Sequence, residues 1–286
     1  MHSSKPWREL GLPKGSNMAT LIATRKPASQ PFTRVALRFF RSPKGILLLV
    51  LGLLAAIGLI AVGASQALPN VASAMFVAAL TDVALRLWLR DDDSFPSGAL
   101  LTGLILALVL SPATSPWVAG LVAALAIGSK YLFRTRWSNV FNPAALGLVV
   151  AYFAFGTGES WWGALPDLPA AAIVLVVVTG LFIADRVNKI PMALAFLGAF
   201  YALSTVTSFF GDSFVVQELF RTPDVNAALF FALFMLDDPP TSPVRYRDQV
   251  VFGAIAAVAS YAVYLLLGGV YYLPAGVLVA NLWETL

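Results

Sequence analysis

The sequence predicts an all-α integral membrane protein of about ten transmembrane helices in two inverted five-helix repeats. Three observations predict it. Of 286 residues, 59% are hydrophobic and 12% charged, with a mean hydropathy of +0.80; soluble domains carry about 25% charged residues. Apolar segments follow one another from Lys44 onward, most approaching the ~20 residues that cross ~30 Å of hydrocarbon as helix. An eleven-residue stretch also recurs after 127 positions. A β-barrel would alternate, whereas Ala171–Gly180 is apolar on every face.

The elements divide into an arm and two repeats. Residues 1–44 hold nine basic side chains (Lys5, Arg8, Lys14, Arg25, Lys26, Arg34, Arg38, Arg41, Lys44) against Glu9 alone. This stretch has no apolar core of signal-peptide type, so cleavage is not expected. It reads as a disordered basic cytoplasmic arm lying against anionic headgroups, or as a docking site for a partner protein. Nucleic-acid binding is excluded because its motifs and aromatic interleaving are absent. The first repeat, 45–156, holds candidate spans 45–64, 69–88, 97–110, 117–133 and 140–156. The second, 157–286, holds 169–185, 190–210, 223–236, 249–268 and 272–286.

Orientation follows from Lys and Arg in the loops. With the N-terminus inside, 18 of the 19 basic residues face the cytoplasm and only Arg221 faces out. The last span then returns the C-terminus to the cytoplasm, in a bacterial plasma membrane.

The repeat rests on Leu106–Pro116 (LALVLSPATSP) and Leu233–Pro243 (LFMLDDPPTSP), identical at five of eleven positions, including both Thr-Ser-Pro turns. A weaker echo pairs Phe141-Asn142-Pro143-Ala144 with Tyr272-Leu273-Pro274-Ala275. Five spans per repeat, an odd number, invert the second copy. The matched segments Ser97–Leu110 and Pro223–Leu236 are also the shortest; ~14 residues of helix reach only ~21 Å. Non-helical chain must complete them, and such chain is tolerated at depth only inside protein or along a cavity. Repeat-related, Pro-interrupted segments point to a midplane site, so the hydroxyls of Thr114, Ser115, Thr241 and Ser242 are expected to converge.

The chain has no Cys, and its one His is His2. Thiolate-held iron–sulfur clusters, paired-His haem and a His-based intramembrane metal site are therefore excluded. No nucleophile-elbow, Walker or Rossmann signature is present. A redox role would need a bound organic cofactor, with flavin the natural candidate.

Gly128-Ser129-Lys130-Tyr131-Leu132-Phe133, Asn139-Val140-Phe141-Asn142-Pro143-Ala144-Ala145 and Phe234–Pro243 resemble the NqrB/RnfD family. These are membrane subunits of the sodium-pumping NADH:quinone reductase and of the Rnf ferredoxin:NAD oxidoreductase. The resemblance covers about residues 45–286 and extends to a shortened UnbU-type branch associated with enediyne biosynthesis. It implies ten helices in two inverted repeats, electron transfer across the membrane with partner proteins, and flavin. Family members carry FMN on the Thr of a Ser-Gly-Ala-Thr motif and usually bind riboflavin as well. Here the corresponding outward loop reads Gly156-Thr157-Gly158-Glu159-Ser160-Trp161-Trp162-Gly163, without that motif. Any flavin, FMN or riboflavin, is therefore expected to be non-covalent.

The residues carried forward as cofactor-binding candidates are Lys130, Asn142, Pro143, Asp237, Asp238, Thr241 and Ser242. Each also has a structural explanation. Lys130 can snorkel to headgroups; Asn142 can cap a helix; Asp237 and Asp238 can neutralise Arg245 and Arg247. Asp82 and Arg86 have the spacing of an i,i+4 ion pair. Trp161 and Trp162 are expected in the outer aromatic belt. Two functional classes stand: a flavin-binding electron-transfer subunit, not active alone, and a channel or transporter on an inverted-repeat scaffold.

Overall fold

A computed structural model describes residues 39–90, 95–135, 139–211 and 213–285. Most of the basic arm, residues 1–38, lies outside the described residues. The described chain is helical, with two isolated bridges, Leu110 with Glu159 and Arg134 with Asn139, in place of strands.

Local chemistry sets the helix boundaries. Helix α1 (Pro43–Val62) starts with proline at its first positions and with the Ser42 hydroxyl accepting from the Gly45 amide at 3.2 Å. Gly63, at φ 88°, separates it from α2 (Ala64–Leu89), a backbone conformation that glycine takes without steric cost. Helix α3 (Ser97–Val109) ends in the first Thr-Ser-Pro turn, and Pro116 then opens α4 (Pro116–Leu132). Helix α5 (Pro143–Phe155) is capped by Asn142, has Pro143 at its first position and stops at the left-handed Gly156. After a 3-10 turn at Trp162–Ala164 come α6 (Ala171–Arg186) and α7 (Ile190–Ser208), then the short helix Ser213–Glu218. Helix α8 (Asp224–Phe230) runs into a π-helical turn, Phe231–Met235, and is followed by α9 (Tyr246–Leu267) and α10 (Tyr272–Thr285).

Helices α1, α2, α7 and α9 are long and apolar enough to cross a membrane, and α3, α4, α5 and α8 with its π-turn are shorter and apolar. Large apolar side chains such as Ile60, Phe76, Phe153 and Leu266 remain exposed, which suits lipid as the surrounding solvent. The fold is that of an all-α multi-pass membrane protein.

Helices in lipid gain little from hydrophobic burial against one another, so contacts depend on small residues that let backbones approach. Ala67, Ala74 and Ala78 line the buried side of α2. A Cβ built on Gly103 of α3 would stand 2.7 Å from the Ala74 carbonyl oxygen. The principal pairs are α2 with α4, α2 with α3, α7 with α9, and α9 with α10.

Hydrogen bonds fix the helix directions. Near the start of α2, the Asn70 amide donates to the Pro112 carbonyl at 3.0 Å and the Ser73 hydroxyl to the Pro116 carbonyl at 2.6 Å. Near its end, Asp82 meets Lys130 and Tyr131 of α4. Helices α2 and α4 therefore run parallel. Helices α7 and α9 do likewise, since Lys189, just before α7, bonds Ser242 and Pro243, just before α9.

Trp161 and Trp162 are not in an aromatic belt. They are 5% and 2% exposed, and the Trp162 indole donates to the Ala107 carbonyl at 2.7 Å. That bond satisfies a ring N–H that burial would otherwise strand.

Candidate functional site at the second Thr-Ser-Pro turn

Helix α8 loses its regular ladder over Phe231–Met235, where the Leu236 amide reaches back five residues to the Phe231 carbonyl at 2.8 Å. Such π-turns free carbonyls and often mark functional sites. Asn142 uses the freed group: its side-chain amide donates to the Met235 carbonyl at 2.9 Å, while its side-chain oxygen accepts from the Ala145 amide at 3.1 Å. The Asn142 backbone amide donates to the Asn281 side chain at 2.8 Å, and Asn281 donates to the Thr241 carbonyl at 2.8 Å. Two buried asparagines thus tie α5 and α10 to the chain that follows α8.

Beyond Met235 the chain turns on its own side chains. The Thr241 hydroxyl donates to the Asp238 carboxylate at 3.0 Å, and the Ser242 hydroxyl to the Asp238 carbonyl at 2.7 Å. Lys189 is 4% exposed and donates through Nζ to the carbonyls of Ser242 at 3.2 Å and Pro243 at 2.5 Å. An ammonium thereby replaces the N–H groups that this proline-rich turn lacks.

Asp237 is buried, and its Oδ2 has no hydrogen-bond partner. Burial pushes its carboxyl well above the usual carboxylate range, and the Asp238 charge adds to this. Burial also raises Asp238, opposed by the Thr241 hydrogen bond and the charges of Lys44, Lys130 and Lys189. Burial lowers the Lys189 ammonium, opposed by Asp237 and Asp238.

The outer wall of this turn lines a cleft of about 440 Å³, formed by Pro239, Pro240, Thr241, Ser242, Pro243 and Val244 with Thr135, Asn139, Val140, Asn281, Glu284 and Thr285. Its volume lies within the ~300–1,000 Å³ of small-molecule sites. Amides and hydroxyls from three stretches of chain converge on it.

Of the residues carried forward from the sequence, Thr241 and Ser242 line this cleft. Asn142, Pro143 and Asp237 are buried behind it. Lys130 is held elsewhere: its Nζ lies 3.2 Å from the fully buried Asp82 carboxylate. The reason is electrostatic, because Asp82 is shared by Arg86 at 2.5 Å, Lys130 and the Tyr131 hydroxyl. Lys130 therefore neither snorkels nor reaches the cleft. Arg245 and Arg247 are exposed, and the cations acting on Asp238 are lysines instead.

The two Thr-Ser-Pro turns do not converge. The first is held by Asn70, Ser73 and the Gly158 carbonyl at the start of α2 and α4; the second lies at the opposite end, with Asn142, Lys189 and Asn281. Each turn follows the C-terminal end of its helix, and α3 and α8 point in opposite directions. Thr114 and Ser115 therefore contribute nothing to the cleft. At their end of the bundle, burial pushes the Glu159 carboxyl well above its usual range, tempered by the neighbouring Trp161 indole.

Lys189 and Asn281 were not singled out by the sequence, and Asn139 stood there only within the family-like stretch Asn139–Ala145, not among the binding candidates. The available signal for Asn281 was a lone amide inside an apolar segment. Lys189→Met should cost ~1–3 kcal/mol by leaving two buried carbonyls without a donor. Thermal denaturation in detergent checks this, and an unchanged melting temperature would mean that water satisfies the turn.

These features define a polytopic helical membrane protein with a polar cleft at a turn between interrupted helices. The chain belongs to the NQR2, RnfD, RnfE family, which it matches over residues 27–180. It is 36% identical over 152 residues to an ion-translocating oxidoreductase complex subunit of Yersinia enterocolitica, covering 50% of the chain and 40% of that relative. The protein of the same name from Pectobacterium carotovorum subsp. carotovorum is 32% identical over 154 residues, covering 51% and 42%. The one from Pseudomonas paraeruginosa is 41% identical over 86 residues, covering 29% and 24%. The chain thus spans less than half the length of these curated relatives. The family match includes Asn142 and ends before the second turn.

Proposed function

We propose that this chain is a membrane component of an electron-transport oxidoreductase complex, working with separate redox partner proteins. The observation that carries the reading is family membership over residues 27–180, with relatives named as subunits of an ion-translocating oxidoreductase complex. In this proposal ten helices span the bacterial plasma membrane as two inverted five-helix repeats, with both termini cytoplasmic. The opposite directions of α3 and α8, and the parallel pairs α2–α4 and α7–α9, support that arrangement.

We further propose that the cleft at the second turn binds a flavin non-covalently. The lining fits such a ligand: Asn139 offers its amide, Asn281 the second N–H of an amide already bonded to Thr241, and Thr241 and Ser242 the lone pairs of hydroxyls whose protons go to Asp238, while Pro239, Pro240 and Pro243 offer apolar faces. When bound, the flavin would supply one- and two-electron chemistry. The chain's own contribution is positional. Lys189 holds the turn in register, while Asn142 and Asn281 fix α5 and α10 against it. Asp237 and Asp238 place a proton-binding pair behind the cleft wall.

The purified protein should show flavin absorption, and denaturation should release the flavin, because no Ser-Gly-Ala-Thr acceptor is present. Fluorescence remaining on the denatured polypeptide would show a covalent acceptor. A colourless protein that takes up neither FMN nor riboflavin would instead favour the transporter reading. Reporter fusions test the topology separately: those after Leu286 should report cytoplasm, and those within Thr157–Asp167 the outside. A cytoplasmic signal from Thr157–Asp167 would overturn the ten-span arrangement.

A further inference from the structure

At the end of the bundle opposite the cleft, the loop 156–165 folds back between helices as a strap. Its backbone runs beside the end of α3: the Ser111 amide donates to the Gly158 carbonyl at 3.0 Å, and the Ser160 and Trp161 amides donate to the Val109 carbonyl at 2.9 and 3.1 Å. Trp162 is tied to the Ala107 carbonyl, and Asn226 of α8 donates to the Ala164 carbonyl at 2.8 Å. The Trp161 ring lies edge-on, 6.3 and 6.4 Å from Phe230 and Phe231, where α8 passes into its π-turn. This packing is imperfect in two ways. Trp161 (φ 52°) and Leu165 (φ 60°) hold left-handed backbone that residues with side chains rarely adopt. The strap also seals Thr157 Oγ1, Ser160 Oγ and both carboxylate oxygens of Glu159 from solvent, with no hydrogen-bond partner among the described residues.

An ionised carboxylate sealed in this way needs donors or a cation, whereas the neutral acid does not. Helices α1, α3 and α8 pack on the strap. The near ends of α1 and α3 carry no charged side chain, and α8 opens with Asp224, another acid. Asp167, just past the strap, is acidic and exposed, and Arg221, ahead of α8, is paired with Glu218. The Trp161 indole neighbours the Glu159 carboxyl without reaching hydrogen-bond geometry, and burial holds that carboxyl well above its usual range. We propose that the loop 156–165 is a pH-sensitive strap, packed while Glu159 carries a proton and released when Glu159 ionises, uncovering Trp161, Trp162 and the start of the α8 π-turn. The preference for the packed state is complete below the ordinary carboxylate range and is lost as pH rises through the raised value of Glu159. Across that interval one proton leaves with each opening, so the opening equilibrium grows ~10-fold per pH unit. None of these residues lines the cleft, so the inference does not depend on flavin binding.

The test is hydrogen–deuterium exchange of the full-chain protein in nanodiscs, read by mass spectrometry from about pH 5 to about pH 8 and corrected for the intrinsic pH dependence of exchange. Protection of the Ser160 and Trp161 amides should fall ~10-fold per pH unit over part of that range. The Val118 and Ala119 amides, held by the Ser115 carbonyl at the same end of the bundle, should not change. Glu159→Gln keeps the size of the side chain and cannot ionise, so its protection should be flat with pH. Glu159→Leu removes the same charge, should also give a flat profile, and keeps the test open if the glutamine variant does not fold. A flat profile in the unmodified protein would overturn the inference. So would a slope that survives in either variant, or an equal slope at Val118 and Ala119.

Discussion

Asp82→Ala is expected to lower the stability of the protein by ~3–5 kcal/mol, the cost of stripping a buried cation cluster of its counter-ion. Asp82 has no exposed side-chain area, while Arg86 and Lys130 are 16% and 25% exposed. Its carboxylate receives Arg86 at 2.5 Å, Lys130 at 3.2 Å and the Tyr131 hydroxyl at 2.7 Å, and Arg86 Nε also donates to that hydroxyl at 3.3 Å. Removing the acid leaves two positive charges facing each other between α2 and α4. The readout is the melting temperature and the yield of monodisperse protein. Adding Arg86→Met and Lys130→Met should restore much of the loss, because apolar replacement of a whole buried ionic cluster is often neutral. A normal melting temperature for Asp82→Ala alone would show that the cluster is solvated.

The second large effect is expected from Gly276→Ala. A Cβ there would collide with the Ser260 hydroxyl oxygen and would lie 2.6 Å from the Ala256 carbonyl oxygen and 2.9 Å from the Ser260 amide nitrogen. The hydroxyl could rotate away, but the backbone atoms of α9 could move only if α10 moved. Because α10 carries Asn281, such a shift would also loosen the clamp on Thr241. A loss of ~2–3 kcal/mol follows from overpacking at a helix contact. Gly198→Ala is the control: nothing lies within 4 Å of its Cβ, and helix propensity favours alanine by up to ~1 kcal/mol. Similar behaviour of the two variants would mean that α9 and α10 can separate without cost.

Parts of the site were legible in the chain itself. Asp82 and Arg86 stand four residues apart in an apolar run, which marks them as an i,i+4 pair, and they are one. Asn142 before Pro143 reads as a cap followed by a first-turn proline, and it caps α5. Lys130 shows the limit of such reading. Its position at the end of a span allows snorkelling, and only the packing of α4 on α2 brings Asp82, 48 residues earlier, within reach. The tryptophans failed for the same reason: an amphipathic ring suits both a membrane interface and a buried slot, and the slot exists only where the loop folds back on α3.

The sequence by itself determined the solvent and the helices. Long apolar segments broken by Pro, Gly and charge can satisfy their backbone in lipid only as helix, so class and element positions follow from local composition. It also determined the position of both Thr-Ser-Pro turns, because a repeated proline pattern is a local property. Only the tertiary structure decided what those turns face. The bonds that build the cleft wall join Lys189 to Ser242 and Pro243, Asn142 to Met235 and Asn281, and Asn281 to Thr241, across separations of 40 to 139 residues. No local pattern encodes such pairings. A buried polar group in lipid must find a partner wherever packing supplies one, and which partner that is depends on how the helices are arranged.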